Sequence, residues 1–408
     1  MDQLFKNKGI HSQGVKYKKT FLKKQILKTI YFKGPQSNAN LVKSLKLSTP
    51  NVNGLIADLI NDELVIDLGQ GSSSGGRRPN IYGLVKDGFY IIGINTSLYR
   101  TGISIFNSHN KEVCEREYFQ IRITQGFEIF NKINNHLNTI LENSGVDKNK
   151  IIAIGIEMPG LVDQKKGMNI TYFPDNENLQ IDLQNIFDYP VYFENNAKVR
   201  TFSEQQFGLA KGKNDVLVVN IGWGIGLGII ANGQLYDGKT GFSGEFGHIP
   251  VVDNGILCKC GKLGCLETVA SLTAVVQMAR DGLQSSRSST LRDLVGNDME
   301  KLDFNMVIQA AKHGDKFSAL ILTKAGHWLG RSIAYLLQIF NPELVIIGGK
   351  LNRANHLIME PIKQAVLTYT NHSISSDTEI KFSELGYKAG IIGAAAMAME
   401  KLTEEKEA

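Results

Sequence analysis

Residues 215–233, DVLVVNIGWGIGLGIIANG, read as two apolar strands, 215–222 and 224–233, joined by a short glycine-rich hairpin. Working upstream, FYIIGINT (89–96), RTGISIFN (100–107) and VCEREYFQI (113–121) read as consecutive strands. A helix around Phe127 to Asn143 and a buried strand, IIAIGIE (151–157), follow them. Downstream, helices over 316–340, 354–368 and 389–403 alternate with strands LVIIGG (344–349) and EIKFSEL (379–385). The pattern predicts two β-hairpin-plus-helix halves around a cleft, an α/β architecture without a short internal repeat. With 408 residues and 42% apolar content, the chain can bury cores for two or three domains.

The first 90 residues differ in kind. They carry 14 lysines and arginines against six acids, a net +8, whereas the remainder nets −3. Such asymmetry fits either a solvated charged face or nucleic-acid contact. KKTFLKKQILKTIYFK (18–33) spaces Phe21, Ile26, Ile30 and Tyr31 as in an amphipathic helix, and Gly34-Pro35 stops it. Ser37 can cap a second helix through Leu45; Ser48 or Thr49, with Pro50 behind, starts a third that runs to about Asp62. Strands LVIDL (64–68) and NIYGLV (80–85) flank the tip GQGSSSGGRRP. Three helices and a hairpin make a winged helix-turn-helix over residues 1–87. Ser48, Thr49, Asn51 and Asn53 are then the side chains for base edges and phosphates of double-stranded DNA, and Arg77 and Arg78 reach a groove or backbone. Winged helices also serve as protein-interaction modules, and a Gly-Ser tip can be a plain linker; the charge and the arginine pair favour DNA.

Four cysteines occur, three of them between 258 and 265, and no charged-then-apolar secretory start precedes them. A reducing cytosol is the expected setting, without disulfides. No apolar run approaches the roughly 18–20 residues a membrane helix needs. In GEFGHIPVVDNGILCKCGKLGCLE (244–267), His248, Cys258, Cys260 and Cys265 offer one imidazole and three thiolates, and Gly261 and Gly264 let the chain wrap. Such a closed set suits a structural Zn²⁺ and leaves no open position for catalysis; the alternative is three free cysteines.

These residues also carry a resemblance. GWGIGLG (222–228), Gly233, GEFGH (244–248) and the CxCGxxGCLE run resemble the signature of the ROK family of repressors and sugar kinases. The likeness extends to MPGLV (158–162), ENNA (194–197), NPE (341–343) and Gly348-Gly349, and with a winged helix in front it points to the repressor branch. It implies a ribonuclease H-like, actin-type ATPase fold of two lobes: 88–205, completed by 386–408, and 206–385 with the zinc loop. It further implies a sugar or sugar phosphate held between the lobes by Asn195, Glu245, His248 and Glu267, although Glu245 and Glu267 could instead be a helix cap or surface charges. Also implied are release from an operator when the sugar binds, and a homodimer or tetramer. Some relatives answer to a sugar-transport protein instead of a free sugar.

Two departures from the kinases bear on activity. Their catalytic aspartate, the general base, is here Asn196, which cannot take up a proton at neutral pH. Their Asp-spacer-Gly-Gly-Thr phosphate loop is here Asn95-Thr96-Ser97-Leu98-Tyr99, with bulk at Leu98 and Tyr99 and no carboxylate for Mg²⁺ at 95. A repressor without enzymatic activity is expected, an ATP-dependent sugar kinase with a DNA-binding arm being the competing reading. The intact glycines 222–228 fit either a nucleotide loop or tight strand turns.

Overall fold

The computed structural model describes residues 2–5, 15–71, 78–296 and 298–404. The chain divides into two compact units, one of residues 1–199 with 390–408 and one of residues 200–389.

The first unit begins with α1 (Val15–Lys33), a short strand β1 (Gln36–Ser37), α2 (Asn38–Leu45) and α3 (Thr49–Asn61). Strands β2 (Val65–Gln70) and β3 (Asn80–Leu84) complete a small sheet in the order β1-β3-β2. The Ser37 hydroxyl accepts from the Asn40 amide at 3.1 Å, satisfying an otherwise orphan donor at the start of α2. Ser48 takes the extended N-cap conformation before α3 but makes no side-chain cap bond. Ile26, Leu27, Leu41, Val52, Leu59 and Leu64 are fully buried, and each aliphatic side chain so buried is worth about 1.5–3 kcal/mol. This is a winged helix-turn-helix.

There follow β4 (Tyr90–Asn95), β5 (Thr101–Asn107), β6 (Glu117–Phe119), α4 (Ile129–Ser144), β7 (Ile151–Met158), α5 (Leu179–Phe187) and β8 (Val191–Asn195). Their sheet runs β8-β7-β4-β5-β6, with β4 antiparallel to β5 and parallel to β7. β6 is shorter than the sequence predicts. Arg116 turns back to the Glu112 carboxylate at 2.5 Å, closing 112–116 on itself before the strand pairs.

α6 (Asn196–Phe207) carries the chain into the second unit. There β9 (Val216–Ile221), β10 (Ile225–Ala231), β11 (Gln234–Leu235), α7 (Leu272–Gln284), α8 (Phe304–Lys312), α9 (Lys316–Phe340), β12 (Leu344–Gly348), α10 (His356–Tyr369) and β13 (Glu379–Phe382) succeed one another. The sheet order β11-β10-β9-β12-β13 repeats the pattern of the first: an antiparallel three-strand run, then two parallel strands. This duplicated sheet is the ribonuclease H-like ATPase fold.

The last helix, α11 (Ala389–Thr403), returns to the first unit. Its Ile391, Ala394, Ala395, Met399 and Leu402 are buried. A side chain on Gly155 of β7 would begin 1.8 Å from the carbonyl oxygen of Ala394, so the helix backbone rests directly on the strand. Among the described residues no helix is long and apolar enough to cross a membrane.

Candidate functional site

In the second unit the segment after β11 folds back along β10, where the Leu227 amide donates to Gly244 at 3.0 Å. It then forms a strap held by isolated bridges between Pro250 and Cys265 and between Leu257 and Leu263. The Cys258 amide donates to Lys262 at 2.8 Å, curling Cys258 and Cys260 into a knuckle. At Gly264, φ is +69° and a side chain would begin 1.8 Å from the Val252 carbonyl oxygen, so only glycine allows this crossing.

The strap gathers one ligand atom from each of His248, Cys258, Cys260 and Cys265 to within 4.8 Å of one another. Cys258 Sγ lies 3.5 Å from His248 Nδ1, and Cys260 Sγ lies 3.6 Å from Cys265 Sγ. A tetrahedral zinc with Zn–S near 2.3 Å and Zn–N near 2.0 Å requires edges of about 3.8 and 3.5 Å, and these two separations are close to such edges. Burial pushes the Cys258 thiol up; burial, then its cysteine neighbours, pushes Cys265 up to about 12. Three thiolates cannot share this space without a cation, and a divalent metal resolves the conflict. Cys258 and Cys265 are buried, while Cys260 faces solvent.

With Nδ1 directed at the sulfurs, His248 Nε2 faces Glu245, at 3.8 Å from Oε2. Glu267, two residues beyond Cys265, reaches the glycine turn. Its Oε2 accepts from the Ile225 amide at 3.0 Å, pressed against Gly224. The same turn is tied to α7 by Leu272 N to Gly222 O at 2.9 Å and by the Thr273 hydroxyl to Trp223 O at 2.8 Å. The Lys350 ammonium sits 5.4 Å above the Trp223 ring, a cation–π pair at the turn that sequence reasoning missed.

In the first unit, Asn195 ends β8 and caps α6. Its Oδ1 accepts from Ala197 N at 2.8 Å and its Nδ2 donates to Gly160 O at 2.8 Å, leaving one further donor and one acceptor site on the amide. Asn196 is the first residue of α6. The Asn95 amide donates to the Glu157 carboxylate, which is fully buried beside it on β7. Glu157 was also missed; a single acid in an apolar strand is the signal that could have found it. In the 95–99 loop, Leu98 is half-buried and packs against the core of the unit, whereas Tyr99 stands exposed.

Ser48, Thr49, Asn51 and Asn53 are exposed on the first turns of α3, although Asn53 accepts from the Asn38 amide. Arg78 is exposed, while Arg77 lies outside the described residues. Four lysines of α1 are paired within the protein: Lys19 with Asp58 of α3, Lys23 with Asp58 and with Asp62 just after that helix, and Lys24 and Lys28 with α11. Lys33, Lys43 and Lys46 remain exposed.

Fold and site together define a winged-helix protein on a sugar-kinase-like body with a His-Cys₃ strap. The model of the ROK family matches residues 100–401, and the chain belongs to that family. It is 30% identical over 390 residues to the xylose repressor of Caldicellulosiruptor bescii, covering 92% of this chain and 95% of that one. It is 36% identical over 269 residues to the glucokinase of Thermotoga maritima, covering 65% of this chain and 84% of the enzyme. Among solved structures, a ROK family transcriptional regulator, a homologue of the E. coli MLC protein, superposes with TM-score 0.78 at 22% identity, over 94% of this chain and 97% of that one.

Proposed function

We propose that this chain is a sugar-responsive DNA-binding repressor of carbohydrate-utilisation genes, acting in the cytoplasm as a homo-oligomer. The observation that carries the reading is the winged helix-turn-helix joined to a body whose repressor-named relative aligns over 92% of the chain. In this reading α3 and the wing bind an operator through Ser48, Thr49, Asn51, Asn53, Arg77 and Arg78. A sugar or sugar phosphate contacts Asn195, Glu245, His248 and Glu267, and its binding weakens the hold on DNA. The ion in the strap is structural zinc: it fixes the His248 ring through Nδ1 and leaves Nε2 toward the ligand.

The kinase reading rests on the 36% identical glucokinase. Against it stand the neutral amide at Asn196, the Asn95 amide committed to Glu157, and exposed Tyr99 where a phosphate would approach. The test is to follow retention of the protein on DNA from its own upstream region while titrating D-xylose, D-glucose, N-acetylglucosamine and the 6-phosphates of the two hexoses. Release by one of them is expected. Retention under all of them points to a protein signal such as a sugar-transport subunit, and ATP-dependent phosphorylation of any sugar above background establishes the kinase.

A further inference from the structure

α1 is gripped on two neighbouring faces. On one, Lys19 pairs with Asp58 of α3 at 2.6 Å, and Lys23 pairs with Asp58 at 3.3 Å and Asp62 at 3.0 Å. On the other, the last turn of α11 is held by three consecutive contacts: Lys24 Nζ to Leu402 O at 3.2 Å, Gln25 Nε2 to Thr403 O at 2.6 Å, and Lys28 Nζ to Glu400 Oε1 at 2.5 Å. Positions 19 and 23 stack one turn apart, as do 24 and 28, the second pair rotated by one residue around the helix. The carbonyls of Leu402 and Thr403 lie at the helix end, where no intrahelical donor is available, so α1 supplies the C-terminal caps of α11. The Tyr31 hydroxyl adds a bond to Asn110 Oδ1 at 3.1 Å.

The other half of α11 lies on the sheet, with Ala394 O packed onto Gly155 of β7. Five residues on, the Gly160 carbonyl accepts from the side chain of Asn195. A contiguous series of contacts inside one unit therefore runs from Asn195 through the 158–160 loop and β7 to α11, from α11 to α1, and from α1 to α3.

We propose that the α1–α11 clamp is the transmission element of the regulator: a ligand-dependent shift at Asn195 and Gly160 moves α11, and Lys24, Gln25 and Lys28 pass that displacement to α1 and thence to the DNA-reading helix α3. Because Gly155 leaves no compressible side chain between β7 and α11, movement of the strand end cannot be absorbed there. The contacts that join Lys24, Gln25 and Lys28 to the helix end are directional polar ones, so they can exchange between two arrangements. The inference rests on the repressor reading and adds where coupling passes.

A double-mutant cycle tests it, because contiguity alone does not establish coupling. Lys28→Glu, Glu400→Lys and the pair together are prepared in the full chain, with Lys28→Gln as a milder variant. Sugar binding is measured by calorimetry with D-xylose, D-glucose and N-acetylglucosamine, and DNA affinity with and without the sugar that binds. The unsubstituted chain should lose DNA affinity by about 5–150-fold on saturation with sugar. Each single variant is expected to keep its sugar affinity and its sugar-free DNA affinity within about threefold. The sugar-induced loss should fall at least threefold in each, and the double variant should restore it. Single variants that bind both partners and show the full sugar-induced loss overturn the clamp. An unsubstituted chain that binds no DNA, or binds DNA with no response to sugar, overturns the repressor reading and the clamp with it.

Discussion

Cys260 Sγ and Cys265 Sγ lie 3.6 Å apart, well beyond the roughly 2.05 Å of a disulfide and near the edge of a zinc tetrahedron. Because Cys260 is the exposed ligand, a chelator can reach the ion from that side. The purified protein should contain one zinc per chain by elemental analysis, and Cys260→Ala should lose it. Breaking a closed shell costs several kcal/mol, and at about 2–4 °C per kcal/mol the variant or chelated protein should melt roughly 10 °C lower. Full metal content in Cys260→Ala would remove that residue from the ligand set.

Metal binding should release protons. Cys258 and Cys265 titrate above the ordinary thiol value when no cation is present, so both are neutral at pH 7. The ion binds thiolate, which drops those values below ambient pH; at least two protons must leave, and affinity must rise with pH and fall in acid. Calorimetry of zinc addition in two buffers of different ionisation enthalpy counts them. A count below one would show that the thiols are not the ligands.

Removing different basic residues should have different consequences for DNA. Lys43 and Arg78 are exposed, so Lys43→Ala and Arg78→Ala should each weaken binding and reduce the slope of log affinity against log salt by about one. Lys23 is held by Asp58 and Asp62, so Lys23→Ala should leave that slope unchanged while lowering the stability of the winged helix by about 1 kcal/mol. Equal changes of slope at all three positions would mean that the internal pairs open on DNA.

The contrast among those basic residues shows what sequence could carry. Periodicity placed Lys23, Lys24 and Lys28 away from the apolar stripe, but it contains nothing about an acid some 370 residues away. Glu400 therefore could not be matched to Lys28 before folding brought α11 back. Where the determinants are local the reading was close: α9 spans the expected 316–340, started by the Asp315 carboxylate on the Ser318 amide and stopped at Asn341-Pro342. The strap was legible because its ligands lie within 18 residues around glycines. That Leu98 turns partly inward while Tyr99 does not was not legible, since a five-residue loop has no period to say which side chain packs on the core. The Asn95–Glu157 pair escaped because it joins neighbouring parallel strands, a register set only by the intervening chain.

Glu267 separates bracing from recognition. Its Oε2 holds the Ile225 amide, so part of any effect of removing the side chain comes from loosening the β9–β10 turn, whatever the ligand does. Glu267→Gln keeps an oxygen that can accept from that amide while removing the negative charge; Glu267→Ala removes both. If the carboxylate also accepts from a sugar hydroxyl, the Gln variant should bind the inducing sugar about tenfold or more weaker, the scale of a charged hydrogen bond of about 1.5–3 kcal/mol, at unchanged melting temperature and sugar-free DNA affinity. The Ala variant should in addition melt lower, by the cost of leaving the Ile225 amide unpaired, about 1–3 kcal/mol. A Gln variant with normal sugar response beside a destabilised Ala variant would confine Glu267 to the turn, because only the charge differs in the first and only the second breaks the brace.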